Sequence, residues 1–414
     1  MKEVLVIKDL GDICHFQNGF AFKSKTFKEF GEPVVRITNI QNDRVESKGF
    51  VFVDRNDYSQ DLSKYEVRKG DLLIAMSGAT TGKIGLYRSE KILLLNQRVG
   101  LFKPNQSLDK QYLYYFLSTK VEESLAISAG AAQPNLSTEQ IKAFQIPLPP
   151  FPEQQRIVSI LDKAFAAIDQ AKANAEQNLK NAKELFESYL QGVFENGDWE
   201  TSTIQEITRV INGYAFKSKD FKPTHSVKSI KITNVGVKEF VEETDNYLPE
   251  EFGETLNKVQ VKDGDIVIAL TRTIIAAGLK VAVVPATYDG ALVNQRVAAL
   301  VANEENVRPS YLYYYLTTKG VADYVLAHVN TLMQPNLSIN DLKTLPVPLP
   351  STDEQENIVS QLDSMQSKTQ KLEAVYQQKM DDLEELRKSI LQKAFAGELD
   401  TSASSVTKEK GVVV

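Results

Sequence analysis

Three short runs hold the side chains best suited to chemistry, and each run occurs twice. Asn18-Gly19-Phe20-Ala21-Phe22-Lys23-Ser24-Lys25 returns as Asn212-Gly213-Tyr214-Ala215-Phe216-Lys217-Ser218-Lys219. Arg36-Ile37-Thr38-Asn39 returns as Lys231-Ile232-Thr233-Asn234, and Asn96-Gln97-Arg98 as Asn294-Gln295-Arg296. Lysines in a glycine-aromatic loop can approach phosphates. Arginine, asparagine and glutamine supply the paired hydrogen bonds that tell guanine from adenine edges. These positions are therefore candidate contacts to DNA: Lys23, Lys25, Arg36, Thr38, Asn39, Gln97 and Arg98, with Lys217, Lys219, Lys231, Thr233, Asn234, Gln295 and Arg296. The plainer reading stands beside it. A residue kept in both copies also serves the shared fold, and Asn39 is equally suited to fixing a turn.

The best catalytic candidate is Ser77-Gly78-Ala79-Thr80-Thr81-Gly82-Lys83-Ile84, which follows an apolar run as a phosphate-binding loop would. Its spacing is one residue short, and Ile84 stands where a Mg²⁺-binding hydroxyl is needed. The echo, Thr271 to Lys280, lacks the Gly-Lys pair. His15, His225 and His328 have no metal-like spacing, and Cys14 has no repeated histidine near it in sequence. No dinucleotide fingerprint and no amino-methyltransferase motif occurs. The chain reads as a binding protein. The two copies diverge most at 41–66 versus 236–260, 77–92 versus 271–290, and 121–132 versus 320–333. Two sites that differ there could read different sequences, which adds Thr80, Thr81, Lys83, Arg272 and Thr273 to the candidates.

These side chains need a scaffold, and the repeat supplies one. Gln133-Pro134-Asn135-Leu136-Ser137 returns as Gln334-Pro335-Asn336-Leu337-Ser338, and the copy offset drifts only from 194 to 201. Each half is one α+β module followed by a long helix. Val67-Arg68-Lys69-Gly70-Asp71 reads as a turn feeding the buried strand Leu72–Met76, echoed by Val261–Asp265 feeding Ile266–Leu270. Short β-branched runs at Val34–Ile37, Phe50–Val53, Ile84–Tyr87 and Gln97–Phe102 predict further strands. Apolar spacing predicts helices at Lys110–Thr119 and Ser310–Thr318, and Ser137 is suited to cap a brief turn.

Proline-stiffened exits, Pro147–Pro152 and Pro346–Pro350, then feed the clearest periodicity in the chain. Ile157, Leu161, Ala164, Ile168, Ala171, Ala175, Ala182, Leu185, Tyr189 and Val193 keep a four-three alternation. Ile358, Leu362, Met365, Thr369, Leu372, Tyr376, Leu383, Leu386, Ile390 and Ala394 do the same. Such spacing predicts an antiparallel intramolecular coiled coil of two helices, each roughly 60 Å long, and a pseudo-two-fold arrangement. Packing of each helix on its own module or on another protomer is the alternative. The expected blocks are a first module over 1–150, a helix over 151–196, a second module over 197–350, a helix over 351–396 and a flexible tail over 397–414.

Bulk composition bounds the rest. The length of 414 residues predicts two to four domains, and one cysteine suits a reducing cytoplasm. No apolar run suggests a membrane span, and the first residues do not read as a signal peptide. Net charge is −6, but residues 1–152 carry an excess of three bases. The second module is acidic because Glu239 to Glu254 holds seven acids and no base.

The ordered series Asn-Gly-Phe-Ala-Phe-Lys, Ile-Thr-Asn, Lys-Gly-Asp, Ser-Gly-Ala-Thr-x-Gly, Asn-Gln-Arg, Gln-Pro-Asn-Leu-Ser and Pro-Leu-Pro-x-x-x-Glu-Gln closely resembles type I restriction-modification specificity subunits. The likeness covers residues 1 to about 396. It implies two target recognition domains, each reading one half of a bipartite site in double-stranded DNA. It implies helices that space the domains and dock two modification subunits. It places no cofactor in this chain: partner subunits would bring S-adenosylmethionine for adenine-N6 methylation, and restriction subunits would add ATP- and Mg²⁺-dependent translocation and cleavage. The second module departs from the Ser-Gly-Ala-Thr-x-Gly-Lys wording, so contacts there do not carry over, and its acidic run should face away from DNA or towards a partner. A self-contained nuclease or methyltransferase and a coiled-coil adaptor for proteins are the rival readings.

Overall fold

The computed structural model describes residues 6–41, 43–128, 135–242, 247–329 and 335–401. Gln133, Pro134 and Gln334 of the repeated loop lie outside these residues, as does the tail from Ser402. The chain divides into two compact units. One is residues 1–175 with 378–414, and the other is 176–377. Compactness thus cuts across the long helices: each unit holds one module and a segment of both helices.

In the first unit a six-stranded sheet runs in the order Cys14–Asn18, Val99–Pro104, Leu72–Ala75, Ile84–Leu86, Arg44–Val45, Ile40–Gln41. Leu72–Ala75 is buried at every residue, as its unbroken apolar run requires. Gly70 introduces it at φ +84° and Gly264 introduces Ile266–Ala269 at φ +85°, a conformation in which side chains other than glycine's are strained. A four-stranded sheet, Val51–Val53, Glu32–Val35, Leu93–Leu95, Glu66–Val67, stands beside it. The strand Ile7–Asp9 pairs with Gln145–Pro147 and ties the start of the module to its exit. The helix Lys110–Thr119 is capped by Asp109, which accepts from the N–H groups of Gln111 and Tyr112. Its apolar face buries Tyr112, Leu113 and Phe116 against the large sheet.

The second unit repeats this plan with a smaller sheet: Thr208–Asn212, Val297–Ala302, Ile266–Ala269, Val281–Val283. Its Thr201–Thr203 strand pairs with Pro346–Pro348, as Ile7–Asp9 pairs with Gln145–Pro147. The sheet edge built by Ile40–Gln41 and Arg44–Val45 in the first unit is reduced here to bridges, Val235 with Phe240 and Val237 with Val281.

The long helices run over Phe151–Asn196 and Thr352–Phe395. In the first unit Asp169 meets Arg387 at 2.8 Å and Lys172 meets Glu384 at 2.5 Å, so these segments run antiparallel. In the second unit the Tyr189 hydroxyl donates to Gln361 at 2.9 Å. The seam departs from the expected spacing in both units. Leu185, Leu372 and Leu386 are exposed, whereas Leu190 and Phe194 are buried. At Leu185 the reason is the module: Phe194 packs on Tyr311 and Tyr315, and Phe186 on Tyr314, so that helix segment turns towards those rings. Each helix start is pinned by a buried glutamine. Gln154 donates to the carbonyls of Ser107 and Pro149 and accepts from the Asp109 N–H, and Gln355 repeats all three bonds with Asn306, Pro350 and Arg308. In the expected tail, Leu399 packs against the core of the first unit.

Candidate nucleic-acid interface

In the first unit the repeated runs meet at one end of the large sheet. Gly19 lies so close to Asn96 that an added Cβ would sit 2.1 Å from its carbonyl oxygen, which is why Asn-Gly precedes the aromatic residue. The Phe20 N–H donates to Leu95, and the Gln97 N–H returns the bond to Phe20. The Met76 N–H donates to the Arg98 carbonyl, and the Leu136 N–H donates to Met76. Ser77 bridges to Asn135, and the Asn18 amide donates to Thr138 at 2.9 Å. The Asn96 N–H donates to Val35, just before the Arg36–Asn39 turn, and Ile37 lies under Gly78. Runs scattered over more than a hundred residues thus form one loop cluster.

The second unit repeats the backbone bonds of the cluster, while Ile339 stands where Thr138 does and the Asn18 side-chain bond has no match. Gly213 meets the Asn294 carbonyl at the same 2.1 Å, and Gln295 returns its bond to Tyr214. Leu270 donates to Arg296, Leu337 donates to Leu270, and Thr271 bridges to Asn336.

The candidate contacts divide by burial. Lys23, Lys25, Thr38, Gln97 and Arg98 are exposed on the first cluster, and Lys217, Lys219, Thr233, Arg272, Gln295 and Arg296 on the second. The Arg98 guanidinium touches Ser77 Oγ at 3.5 Å, and the residue is exposed. Arg36 and Lys231 are half-buried. Arg36 donates to the Gly49 carbonyl at 3.0 Å, and Lys231 Nζ lies 5.0 Å from the Phe221 ring centre. Lys83 is half-buried and donates to Gln41 Oε1 at 2.9 Å.

Five candidates lie inside, and for these the expectation of direct contact is corrected. Asn39 accepts from the Arg36 N–H at 2.9 Å and donates to the carbonyls of Glu46 and Lys48. Asn234 accepts from the Lys231 N–H at 2.8 Å and donates to Val241. Thr81 donates to the Gly78 carbonyl at 2.7 Å within its turn. Thr80 is buried beside it. Thr273 accepts from the Leu337 N–H and holds the repeated loop in place. Buried polar groups are kept for such bonds, so Asn39, Asn234, Thr81 and Thr273 shape the loops; the buried Thr80 hydroxyl has no hydrogen-bond partner among the described residues, and all five leave the outer face to their neighbours.

One matching pair is hidden in the sequence. The Ala75 N–H donates to the Lys83 carbonyl, and the Ala269 N–H to the Lys280 carbonyl, so Lys280 is the counterpart of Lys83. Lys280 Nζ donates to the Ile232 carbonyl at 2.8 Å, inside the Lys231–Asn234 turn, whereas Lys83 reaches Gln41, in the strand that follows the matching turn. Burial lowers its pKa, and neighbouring Arg272 adds to the shift. Three more residues separate the anchors in the second copy, and that insertion hides the match. The longer loop carries its own pair of strands, Ile274–Ile275 and Gly278–Leu279, and places exposed Arg272 at φ +49°. The scaffold is therefore constant while the presented loop differs. Among the described residues no group of His, Cys, Asp and Glu is suited to hold a metal ion. No helix of the described residues is long and apolar enough to cross a membrane.

Two α+β modules with matched anchors and unlike outer loops, each closed by antiparallel helix segments, define a duplicated recognition scaffold. The family model for the type I restriction modification DNA specificity domain matches this chain twice, over residues 3–181 and 196–379. The MjaVIII specificity subunit of Methanocaldococcus jannaschii is 27% identical over 350 residues, covering 80% of each chain. The EcoBI specificity subunit of Escherichia coli is 24% identical, covering 94% of this chain and 85% of that one. Among solved structures, the HsdS subunit from Thermoanaerobacter tengcongensis matches with TM-score 0.61 at 18% identity, covering 95% of this chain and 97% of that one. A chain solved in work on complex assembly and conformational transition of the type I R-M system matches with TM-score 0.72 at 19% identity, covering 95% and 98%. The chain belongs to the type I restriction-modification specificity family. It is a DNA-recognition subunit without catalytic activity of its own.

Proposed function

We propose that each module reads one half of a bipartite site in double-stranded DNA and that the loop clusters are the reading surfaces. The observation that carries this is the exposed Gln-Arg pair, Gln97-Arg98 and Gln295-Arg296, held on an identical backbone frame beside loops of different length. Arginine and glutamine in fixed orientation discriminate guanine and adenine edges, and unlike flanking loops suit unlike half-sequences. Lys23, Lys25, Lys217 and Lys219 act on phosphates, which position the duplex without reading it. Joining two modest sites on one chain raises their combined affinity through effective concentration.

On this reading the long helices set the unread gap and dock two modification subunits. Those subunits bind S-adenosylmethionine and methylate adenine N6. Restriction subunits, using ATP and Mg²⁺, translocate and cleave, and the complex works in the cytoplasm. This chain holds no cofactor. The test is a methylation map: co-express the chain with its modification subunit in a host lacking adenine methylation, then sequence for N6-methyladenine. One bipartite motif with an unread gap, absent without this chain, is the expected result. No motif from a stable complex with a competent methylase would refute the reading.

A further inference from the structure

The two long helices end on their modules in similar ways, and the large side chain two residues past the glycine differs, Trp199 in one and Leu399 in the other. In the second unit the helix ends at Asn196 and the chain continues Gly197-Asp198-Trp199-Glu200. In the first unit the second helix ends at Phe395 and the chain continues Ala396-Gly397-Glu398-Leu399-Asp400. The surroundings are alike although the first unit's end is one residue shorter, with five residues from Phe194 to Trp199 and four from Phe395 to Leu399. Phe194 packs on Tyr311 with ring centres 5.4 Å apart, and Phe395 packs on Tyr112 at 5.0 Å. Both tyrosines donate to a proline carbonyl of the module exit, Pro348 and Pro147.

Trp199, the chain's one tryptophan, packs against the core of the second unit, which contains Tyr311 and Ile358. Its indole N–H donates to Glu354 at 3.1 Å. Glu153 is the counterpart of Glu354, since each precedes the buried glutamine that pins its helix. In the first unit Leu399 takes the tryptophan's place, and a cavity of about 440 Å³ opens there. Its lining includes Tyr112, Leu148, Pro149, Glu153, Ile157 and Leu399. The volume is in the range of sites that hold small organic ligands. Proline at 149 and 150 fixes the backbone, so the wall resists collapse into the space. Glu153 pairs with Arg156 through Oε2 at 3.0 Å, leaving Oε1 for a further donor.

We propose that this cavity is a binding site for a planar heteroaromatic ring bearing an N–H donor, with indole as its model. The ring lies among Tyr112, Leu148 and Ile157, and its N–H donates to Glu153, as Trp199 donates to Glu354 in the second unit. The inference does not rest on DNA recognition.

The experiment titrates the full chain with indole, with benzofuran, which has the same shape but no N–H, and with N-acetyl-tryptophanamide. Saturable indole binding with Kd below about 1 mM and at least fivefold weaker benzofuran binding are expected. Binding of indole alone identifies a free small molecule as the ligand, whereas binding of the tryptophanamide as well identifies a side chain presented by a protein. Leu399→Trp should fill the space and weaken indole binding at least tenfold. Trp199→Leu should open the second niche and raise the stoichiometry from one indole to two, which keeps the test decisive if the Leu399 variant does not fold. Glu153→Gln should erase the preference for indole over benzofuran. Absence of saturable indole binding to the wild-type chain, or binding unchanged by Leu399→Trp, overturns the proposal.

Discussion

Asn39→Ala separates a residue that builds the loop cluster from one that reads DNA. Asn39 is 1% exposed and makes three hydrogen bonds, one accepted from Arg36 and two donated to Glu46 and Lys48. Alanine removes all three and strands their backbone partners in a partly buried turn. At roughly 1 kcal/mol net for each bond, the loss is about 3 kcal/mol. For a body of this size that corresponds to a fall in unfolding midpoint of about 6–12 °C. Asn39→Asp keeps the acceptor for Arg36 but sets a carboxylate oxygen against two carbonyls, so it should not rescue. The assay is calorimetric unfolding of the full chain, paired with the methylation motif of the assembled complex well below the midpoint. A midpoint unchanged within 1–2 °C together with loss of one half-site would refute the structural role and restore Asn39 as a base contact.

Arg98→Ala should leave the midpoint in place and relax one half-site, costing about 1–3 kcal/mol of discrimination, while Arg296→Ala relaxes the other; competition binding with single-base variants measures both. Gly19→Ala should destabilise the first unit and weaken its half-site together, because its Cβ would fall 2.1 Å from the Asn96 carbonyl; thermal unfolding checks this. Burial pushes the Cys14 thiol up to about 12 from 9.0, so the fold favours the protonated form. Its contribution is therefore complete below pH 9 and declines as pH rises from 9 towards 12, by at most about 1.4 kcal/mol per pH unit. Comparing the unfolding of wild type and Cys14→Ala across that window isolates it. Inserting one heptad into both long helices should change the unread gap and leave both half-sequences intact, as read from the methylation map.

Much of the fold was legible because local signals agreed. The helix at Lys110–Thr119 had its apolar face, and the long helices had proline exits before them and sustained periodicity within them. The seam was legible only where helix met helix. Leu185 kept the heptad spacing but lies exposed, because aromatic rings of the module draw Phe186 and Phe194 inward instead. At the loop clusters the sequence identified which residues are kept but not which way they face. Asn39 and Arg98 both recur and both suit base contacts, yet one is spent on its own turn and the other is exposed. Lys280 escaped because three inserted residues broke its alignment with Lys83, and only the shared hairpin bond to alanine reveals the match. Gln154 was legible as part of a motif, but its three bonds join segments 45 or more residues apart as well as its own exit, a connection that no local pattern carries.

The division of the chain into units also dictates an order of assembly during synthesis. Residues 176–377 form one unit, whereas the other joins residues 1–175 to the segment from Gln378 onward. Chains emerge from the ribosome from their N-terminal end, and domains tend to fold as they become available. The unit made second in sequence is therefore the first to have all its parts, while the module made first waits for the returning helix segment with Leu391 and Ala394 to cover its core. A released chain truncated after Gln377 should carry a protease-resistant second unit and an incomplete first one.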